Sequence, residues 1–392
     1  PTSVSPTNKP ATFEPRPMLK LPGKLSAEKF LARYWQKDHL IMPQALGRVR
    51  PAISRNELGW LATLDDVESR LVFTERSDSG VRYHADMGPF DPEYLAALPK
   101  RDWTLLVHDV EKHLPAMRKL FAHVPFIPDW RIDDLMVSFA APGGGVGPHR
   151  DNYDVFLCQG IGVREWRVAT GSVADDPDAS DDLAITAEFQ GEKHTVREGD
   201  VLYLPPGVAH WGTAKRACIT YSIGMRAPQL SDLSRGFAGA DANDAFYNDK
   251  DLAPDEARPG WISAEAIDRA MRLLGAAPNE RATVAETLGR YVTATKGWIT
   301  PECATTDEAA AMLAALRQGG SLAVHGMARI AYDNQNIYVN GGHLPLPAES
   351  GAFVGELCAT RRIAGSLPSV AKLAEMVAWI AESGGLALPE VT

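Results

Sequence analysis

The chain has 392 residues, and at about 150 residues per domain this length predicts two or three domains. Hydrophobic residues make up 45% of the sequence, which is enough to bury real cores and excludes a mainly disordered chain. Lys and Arg number 40 against 50 Asp and Glu, which gives a net charge of −10. This acidic balance argues against a protein that coats nucleic acid, which needs a basic face, but it allows a basic partner.

The four cysteines contain no Cys-x-x-Cys pair and are too few for a disulfide scaffold in so long a chain. A reducing cytoplasm is therefore the expected location. No apolar run approaches the roughly 18–20 residues of a membrane span, so no membrane association is predicted. The N-terminal residues are rich in Pro, Ser and Thr and lack the apolar core of a secretion signal. They predict a disordered tail over residues 1–22.

Three helices are predicted in the first third of the chain. The first covers residues 25–42, where apolar side chains recur at helical spacing. The second begins after Ser54, which forms a capping-box pattern with Glu57 ahead of an apolar run. The third is placed over residues 105–120.

From about Asp133 the sequence changes to short runs rich in β-branched and aromatic residues, separated by Gly, Pro and Asp. Runs of this length and spacing predict antiparallel strands in a sandwich or barrel. The runs are DDLMVSFA, DVFLCQGIG, REWRVA, DVLYLPP and CITYSIGM. Together with the preceding helices they define a predicted catalytic domain over residues 23–230.

After this barrel the apolar spacing becomes helical again over residues 231–304, with repeats around Ile267 and Val284. These helices predict an appended module, which we expect to form a homodimer. Residues 305–392 predict a helix, a set of short strands with an Asn340-Gly341 turn, and two further helices. That order indicates a winged-helix-like domain, but it carries no basic stripe, so direct nucleic-acid binding is not expected.

The strongest chemical signal is the segment Gly147-Pro148-His149-Arg150-Asp151. Side chains two apart on an extended strand lie on the same face, so His149 and Asp151 can reach one metal ion. His210 follows a Pro-Pro-Gly bend and supplies a second imidazole after several predicted strands. Two His and one carboxylate form the facial triad of non-haem Fe(II) oxygenases, although catalytic zinc sites use the same ligand set.

The other eight histidines lack such a setting and are predicted to be structural or surface residues. They are His39, His84, His108, His113, His123, His194, His325 and His343.

A co-substrate pocket favours iron over zinc. Arg164 shares a strand face with Trp166 and Val168, which predicts an inward-pointing guanidinium. A buried guanidinium needs an anion, and the distal carboxylate of 2-oxoglutarate fits that need. Ser138 on a neighbouring strand is a candidate for a further hydrogen bond to the same carboxylate. Two alternatives stay open: Arg164 pairs with a protein acid or faces solvent, and Ser138 is a core serine.

At these residues the chain resembles the bacterial ribosomal oxygenases of the JmjC class. The resemblance covers about residues 25–230 and rests on FLARYWQKDHLIMP, on PDWRIDDLMVSFAAPGGGVGPHRDNYDVFLCQGIGVREWRV, and on GDVLYLPPGVAHWG and YSIGMRAP. It implies a cupin-like double-stranded β-helix barrel, a helical dimerisation region and a winged helix, which makes the fold a mixed α and β one. Beyond residue 230 it depends on domain order alone.

The resemblance also implies a function. Family members use Fe(II) and 2-oxoglutarate to hydroxylate a side chain of a ribosomal protein, and bacterial members act on the β-carbon of an arginine in a large-subunit protein. By position, His149, Asp151 and His210 match the iron ligands, Arg164 matches the 2-oxoglutarate arginine, and Ser138 matches its hydroxyl partner. Tyr153, just beyond the His-x-Asp pair, is a candidate to pack on the substrate guanidinium, unless it belongs to the barrel packing.

Two alternative functions remain at this point. One is a JmjC-type oxygenase that acts on a histidine, or on another protein or a small molecule. The other, from a different class, is a non-catalytic cupin-like protein that binds a metal or ligand and acts as a regulator. A complete triad and a non-basic winged helix favour the enzyme.

Overall fold

The computed structural model describes residues 19–21, 25–46, 53–78, 80–175, 186–234, 245–299, 301–364 and 371–388. Most of the predicted disordered tail lies outside these residues. The tail prediction is wrong at Leu19, which is fully buried and donates its backbone N–H to the carbonyl of His123, 2.8 Å away. Among the described residues, no helix is both long and apolar enough to cross a membrane.

Two antiparallel sheets dominate residues 40–225. Their strands are β1 (Leu40–Met42), β2 (Ser69–Ser77), β3 (Gly80–Met87), β4 (Trp103–Val107), β5 (Ile132–Ala140), β6 (Val155–Ile161), β7 (Val163–Ala169), β8 (Gly191–Arg197), β9 (Val201–Leu204), β10 (His210–Ala214) and β11 (Cys218–Met225). The large sheet has the order β1-β9-β6-β11-β5-β4-β2-β3, and the small sheet has the order β10-β7-β8. The five strands predicted between residues 133 and 225 are confirmed as β5, β6, β7, β9 and β11.

Alternation along the strands separates two cores. In β6, Phe156 and Cys158 face the helices that cover the outer side of the large sheet. Val155 and Leu157 face the other way, where they pack with Trp166 of the small sheet. The two sheets therefore enclose an interior between them, and this is the double-stranded barrel that the sequence predicts.

Short helices flank this barrel: α1 (Ala27–Arg33), α2 (Arg55–Leu61), α3 (Pro92–Ala96), α4 (Val110–His113) and α5 (Leu230–Leu233). Ser54 and Glu57 form the predicted capping box at the start of α2. The first predicted helix, over residues 25–42, is too long, because the observed helix α1 ends at Arg33 and residues 40–42 form β1. The third is wrong over residues 105–107, which belong to β4, where every residue is buried and the run shows no strand alternation.

The rest of the chain forms α6 (Ala264–Leu274), α7 (Arg281–Thr293), α8 (Thr306–Arg317), α9 (Gly351–Thr360) and α10 (Ala371–Glu382), with strands β12 (Ser321–Val324), β13 (Ile330–Tyr332), β14 (Asn336–Val339), β15 (Gly342–Pro345), β16 (Arg362–Ala364) and β17 (Leu386–Ala387). The predicted helices around Ile267 and Val284 are confirmed as α6 and α7. Asn340 and Gly341, both at positive φ, form the predicted turn between β14 and β15. The module boundaries at residues 230 and 304 stay predictions.

Candidate active site

The backbone places His149 directly opposite His210. The two residues form an isolated antiparallel bridge in which each backbone N–H donates to the other's carbonyl, over 3.0 Å and 2.7 Å. Gly147 has a φ of +84°, a conformation that glycine adopts without strain, and it turns the chain into this bridge. As a result the two imidazole centroids lie 4.2 Å apart.

Each imidazole is held in one tautomer by a backbone carbonyl. Nδ1 of His149 lies 3.0 Å from the oxygen of Gly147, and Nδ1 of His210 lies 3.0 Å from the oxygen of Val208. A carbonyl only accepts hydrogen bonds, so both Nδ1 atoms carry the hydrogen, and Nε2 is the nitrogen of each ring that is available to a metal. Metal-binding histidines are oriented in the same way.

Asp151 completes the group. Its Oδ2 lies 3.6 Å from Nε2 of His210, and one ligand atom from each of His149, Asp151 and His210 lies within 4.8 Å of the others. Burial, with a smaller contribution from His149, lowers the pKa of His210 to about 4, so this imidazole is neutral at physiological pH. Two imidazole nitrogens and a carboxylate oxygen on one side of a cavity fit a divalent metal with open positions for other ligands.

Arg164 lies in the barrel interior, as its strand position predicts. It is 3% exposed, and its guanidinium stacks over Trp166 at 4.8 Å from the ring centroid. Among the described residues no carboxylate lies within 4.0 Å of it; its Nη2 donates to the carbonyl of Gly212 over a long 3.4 Å, and its Nε makes no hydrogen bond. Burial lowers the pKa of this guanidinium. Arg164 therefore neither faces bulk solvent nor pairs with an acidic side chain of the described residues. A guanidinium in this position favours an anionic ligand.

One cavity of about 520 Å³ contains all six residues singled out in the sequence. They are Ser138, His149, Asp151, Tyr153, Arg164 and His210. Its volume lies within the usual range for small-molecule sites. The metal-ligating group and the unpaired guanidinium therefore face the same space.

Ser138 and Tyr153 lie in different parts of this cavity. Ser138 is 4% exposed on β5 and lies opposite Thr220 of β11, so its hydroxyl belongs to the interior wall. Tyr153 is 39% exposed, and the carboxylate of Asp151 raises the pKa of its phenol well above the usual value. Ser138 thus lies on the interior wall of the cavity, and Tyr153 lies on a part of its lining that solvent reaches.

Several polar residues of the cavity were missed in the sequence. Thr104 is fully buried on β4 and shares the inner face with Ser138 and Thr220. Among the described residues, neither Oγ1 of Thr104 nor Nε1 of Trp166 has a hydrogen-bond partner. Thr104 was not recognised because no strand was predicted here and the predicted helix begins at the next residue. Its polarity within an apolar run is the one signal that could have found it.

The cavity lining also includes part of a charged network that sequence spacing does not reveal. Asp134 accepts a hydrogen bond from Nδ1 of His108 at 3.0 Å and lies 3.3 Å from Nζ of Lys296. His108, Asp134 and Arg70 all line the cavity. They come from three different strands or loops, so only the folded chain brings them together.

Comparison with known proteins agrees with this geometry. Residues 119–233 match the JmjC domain family. The chain is 32% identical to the ribosomal protein uL16 3-hydroxylase of Escherichia coli (strain K12) over 326 residues, which is 81% of this chain and 85% of the relative. It is 34% identical to a probable ribosomal oxygenase of Haemophilus influenzae over 264 residues, 65% of this chain and 64% of that protein.

Solved structures show the same similarity over nearly the whole chain. An X-ray structure of E. coli YcfD has a TM-score of 0.74 at 30% identity and covers 94% of this chain and 99% of its own. YcfD, a ribosomal oxygenase, in complex with cobalt and 2-oxoglutarate has a TM-score of 0.68 at 29% identity, with 94% and 99% covered. The chain belongs to the bacterial ribosomal oxygenases of the JmjC class and is an Fe(II)- and 2-oxoglutarate-dependent protein hydroxylase.

Proposed function

We propose that this enzyme hydroxylates the β-carbon of an arginine in a large-subunit ribosomal protein, the counterpart of uL16. The observation that carries the proposal is one cavity in which three metal-ligating atoms face an unpaired buried guanidinium. The name of the E. coli relative, a ribosomal protein uL16 3-hydroxylase, supports the substrate class and the 3-position. A non-catalytic regulator is set aside, because the relatives are oxygenases and the triad residues are intact.

In this proposal His149, Asp151 and His210 hold Fe(II). When bound, Fe(II) supplies the redox chemistry by which dioxygen converts 2-oxoglutarate to succinate and CO₂ and hydroxylates a carbon of the substrate. The chain's own part is to fix the tautomer and orientation of both imidazoles through the carbonyls of Gly147 and Val208, so that each Nε2 faces the ion.

Arg164 binds the distal carboxylate of 2-oxoglutarate. A guanidinium offers a fork of parallel donors that matches a carboxylate, and its free Nε is one of them. Ser138 and Thr104 add hydroxyl groups on the facing wall, where Thr104 has no other partner. Binding the dicarboxylate therefore satisfies groups that are otherwise buried without partners, which favours this ligand over a neutral one.

The substrate arginine enters past Tyr153. The partly exposed phenol ring offers a face for a planar guanidinium, and the carboxylate of Asp151 beside it adds negative potential. The net charge of −10 favours encounter with a basic ribosomal protein. We further propose that the enzyme works in the cytoplasm as a homodimer formed by residues 231–304, and that it binds no nucleic acid directly.

Substrate-dependent turnover tests the proposal. The enzyme is incubated with Fe(II), ascorbate and 2-oxoglutarate, with recombinant uL16 or with another basic large-subunit protein, and succinate is measured. We expect succinate to rise well above background with uL16 alone. Equal stimulation by both proteins would contradict the substrate assignment. Stimulation by the second protein alone, at a site that carries a histidine, would transfer the proposal to histidine.

A further inference from the structure

A second group of metal-binding side chains lies outside the catalytic cavity. His39 directly precedes β1, and Glu192 and His194 lie two residues apart on β8. One ligand atom from each of the three lies within 4.8 Å of the others. The sequence does not suggest this group, because His39 and His194 are far apart in the chain and each lacks a recognisable motif.

The distances within this group are close to those of a tetrahedral site. Oε2 of Glu192 lies 3.6 Å from Nε2 of His39 and 3.4 Å from Nε2 of His194. Zinc bonds of 2.0–2.1 Å at tetrahedral angles place neighbouring ligand atoms about 3.4 Å apart. The ligand atoms of His39 and His194 lie within 4.8 Å of each other, so side-chain rotation alone can bring the three groups around one ion.

The two imidazoles already present nitrogen atoms to the carboxylate. Nδ1 of His39 lies 3.2 Å from a carboxylate oxygen of Asp38, and Nε2 of the same ring lies 3.6 Å from Oε2 of Glu192. Carboxylates beside histidine nitrogens commonly orient metal ligands. Within the described part of the chain, Nε2 of His194 is buried and makes no hydrogen bond, although Glu192 lies beside it.

The position of the group in the fold gives it a structural role. β1 is an outermost strand of the large sheet, and β8 is an outermost strand of the small sheet. A metal held by His39 from one sheet and by Glu192 and His194 from the other would join the two sheets at this edge. β8 also pairs with β7, the strand that carries Arg164.

We propose that His39, Glu192 and His194 form a second metal site, which binds Zn²⁺ and joins the two sheets of the barrel. Two imidazoles and one carboxylate suit Zn²⁺, and the three ligands leave a fourth position for water. Glu192 is 55% exposed, so the ion enters directly from solvent. The alternative is that protons shared between the imidazoles and the Glu192 carboxylate balance its charge, and in that case no metal binds.

Zinc counting in four forms of the full chain tests the proposal and separates it from the catalytic site. Metal-free protein is titrated with Zn²⁺ alone, desalted, and analysed for bound zinc. We expect two equivalents per chain in the wild type, one in His149→Ala/His210→Ala, one in His39→Ala/His194→Ala, and none when all four are changed. His84, which pairs with Glu75 at 3.5 Å but has no second imidazole, provides the control: His84→Ala keeps both equivalents.

A single equivalent in the wild type, or the same count in wild type and His39→Ala/His194→Ala, would overturn the proposal. If the His149→Ala/His210→Ala protein bound no zinc, the proposal would also be overturned, but the catalytic assignment would stand. Thermal melting of the His149→Ala/His210→Ala protein provides a second readout that needs no change to His39 or His194. Zn²⁺ should raise its Tm, and Glu192→Gln should remove most of that rise.

Discussion

At the scale of single residues, the function depends on which atoms are left without partners. The carbonyls of Gly147 and Val208 take the Nδ1 hydrogens of the two histidines, so both Nε2 atoms point into the cavity. Arg164 is buried with no carboxylate near it among the described residues. In the ligand-free protein these buried groups without partners are destabilising, and binding of a metal and a dicarboxylate recovers that free energy.

Removal of the Asp151 carboxylate should abolish turnover and leave the fold intact. The side chain of Asp151 contributes one metal ligand and makes no hydrogen bond to another element among the described residues. It is 22% exposed. Because loss of an outer-shell partner already costs 10–100-fold, loss of a ligand should lower succinate formation by more than about 100-fold in Asp151→Ala. Asp65→Ala, at an exposed position, is the control. Full turnover by Asp151→Ala would refute the triad.

Replacement of Arg164 should act on the co-substrate. In Arg164→Met the KM for 2-oxoglutarate should rise about 100-fold, since a desolvated charge-assisted pair is lost. The Tm of the ligand-free protein should not fall, because the change also removes an unpaired buried charge. Arg167 is on the same strand but stacks on Trp211 outside the cavity, so Arg167→Met should leave this KM unchanged. An unchanged KM in Arg164→Met would move the carboxylate site elsewhere.

At the scale of elements, the strands of the barrel fix the spacing between these groups. β10 begins with His210 and runs beside β7, where Gly212 lies opposite Trp166. A Cβ atom at Gly212 would lie 2.6 Å from the Trp166 ring and 2.7 Å from Nε of Arg164. The missing side chain at Gly212 therefore leaves the space in which Arg164 and Trp166 sit.

Gly212→Ala should disturb both stability and co-substrate binding. We expect the free energy of unfolding to fall by about 1–3 kcal/mol, because the added methyl group displaces well-packed side chains. The KM for 2-oxoglutarate should rise in the same variant. Gly171→Ala, where a Cβ meets nothing within 4 Å, should behave as the wild type in denaturant unfolding and in kinetics. Identical results for the two variants would show that Gly212 does not set the position of Arg164.

Elements that follow a clear period were predictable from the sequence, and the others were not. Arg164 lies on β7, one of the strands predicted from turns and β-branched residues, and was found with it. His149 and Asp151 lie in the connection between β5 and β6, not on the extended strand that the sequence predicted, and His210 begins β10, which no predicted strand covers; these three were found from the His-x-Asp and Pro-Pro-Gly motifs. β4 is buried on both faces, so its last three residues were mistaken for the start of a helix and Thr104, just before them, was missed. Other residues depend on neighbours that are distant in the sequence, so no local pattern predicts their roles. They are Asp134, Lys296, His39 and His194.

At the scale of the whole molecule, the C-terminal part is tied to the barrel next to the site. The guanidinium of Arg329 donates to the carbonyls of Ile132 and Asp133, at the start of β5, and to Val292 of α7. Trp130 packs in one core with residues of α6, α7 and β14. Movement of the C-terminal elements would therefore be transmitted to β5, which carries Ser138.

The homodimer proposal is tested by molar mass. Leu273 and Leu274 of α6 are only partly buried, which leaves apolar surface for a second copy. Size-exclusion chromatography with light scattering should give the mass of two chains, and Leu273→Asp should shift it towards one. Leu388, which is 60% exposed in the C-terminal part, gives the matched control Leu388→Asp. A wild-type mass of one chain at micromolar concentration would contradict the dimer.

The most direct test of the central claim is peptide mass analysis of uL16 after incubation with this enzyme, Fe(II), ascorbate and 2-oxoglutarate. The proposal predicts a gain of one oxygen atom on an arginine-containing peptide, with fragment ions that place it on the β-carbon, and only when 2-oxoglutarate is present. Asp151→Ala should leave the peptide unmodified. Oxygen on a histidine, or an unmodified uL16 in a reaction that still forms succinate, would contradict the proposed arginine hydroxylation.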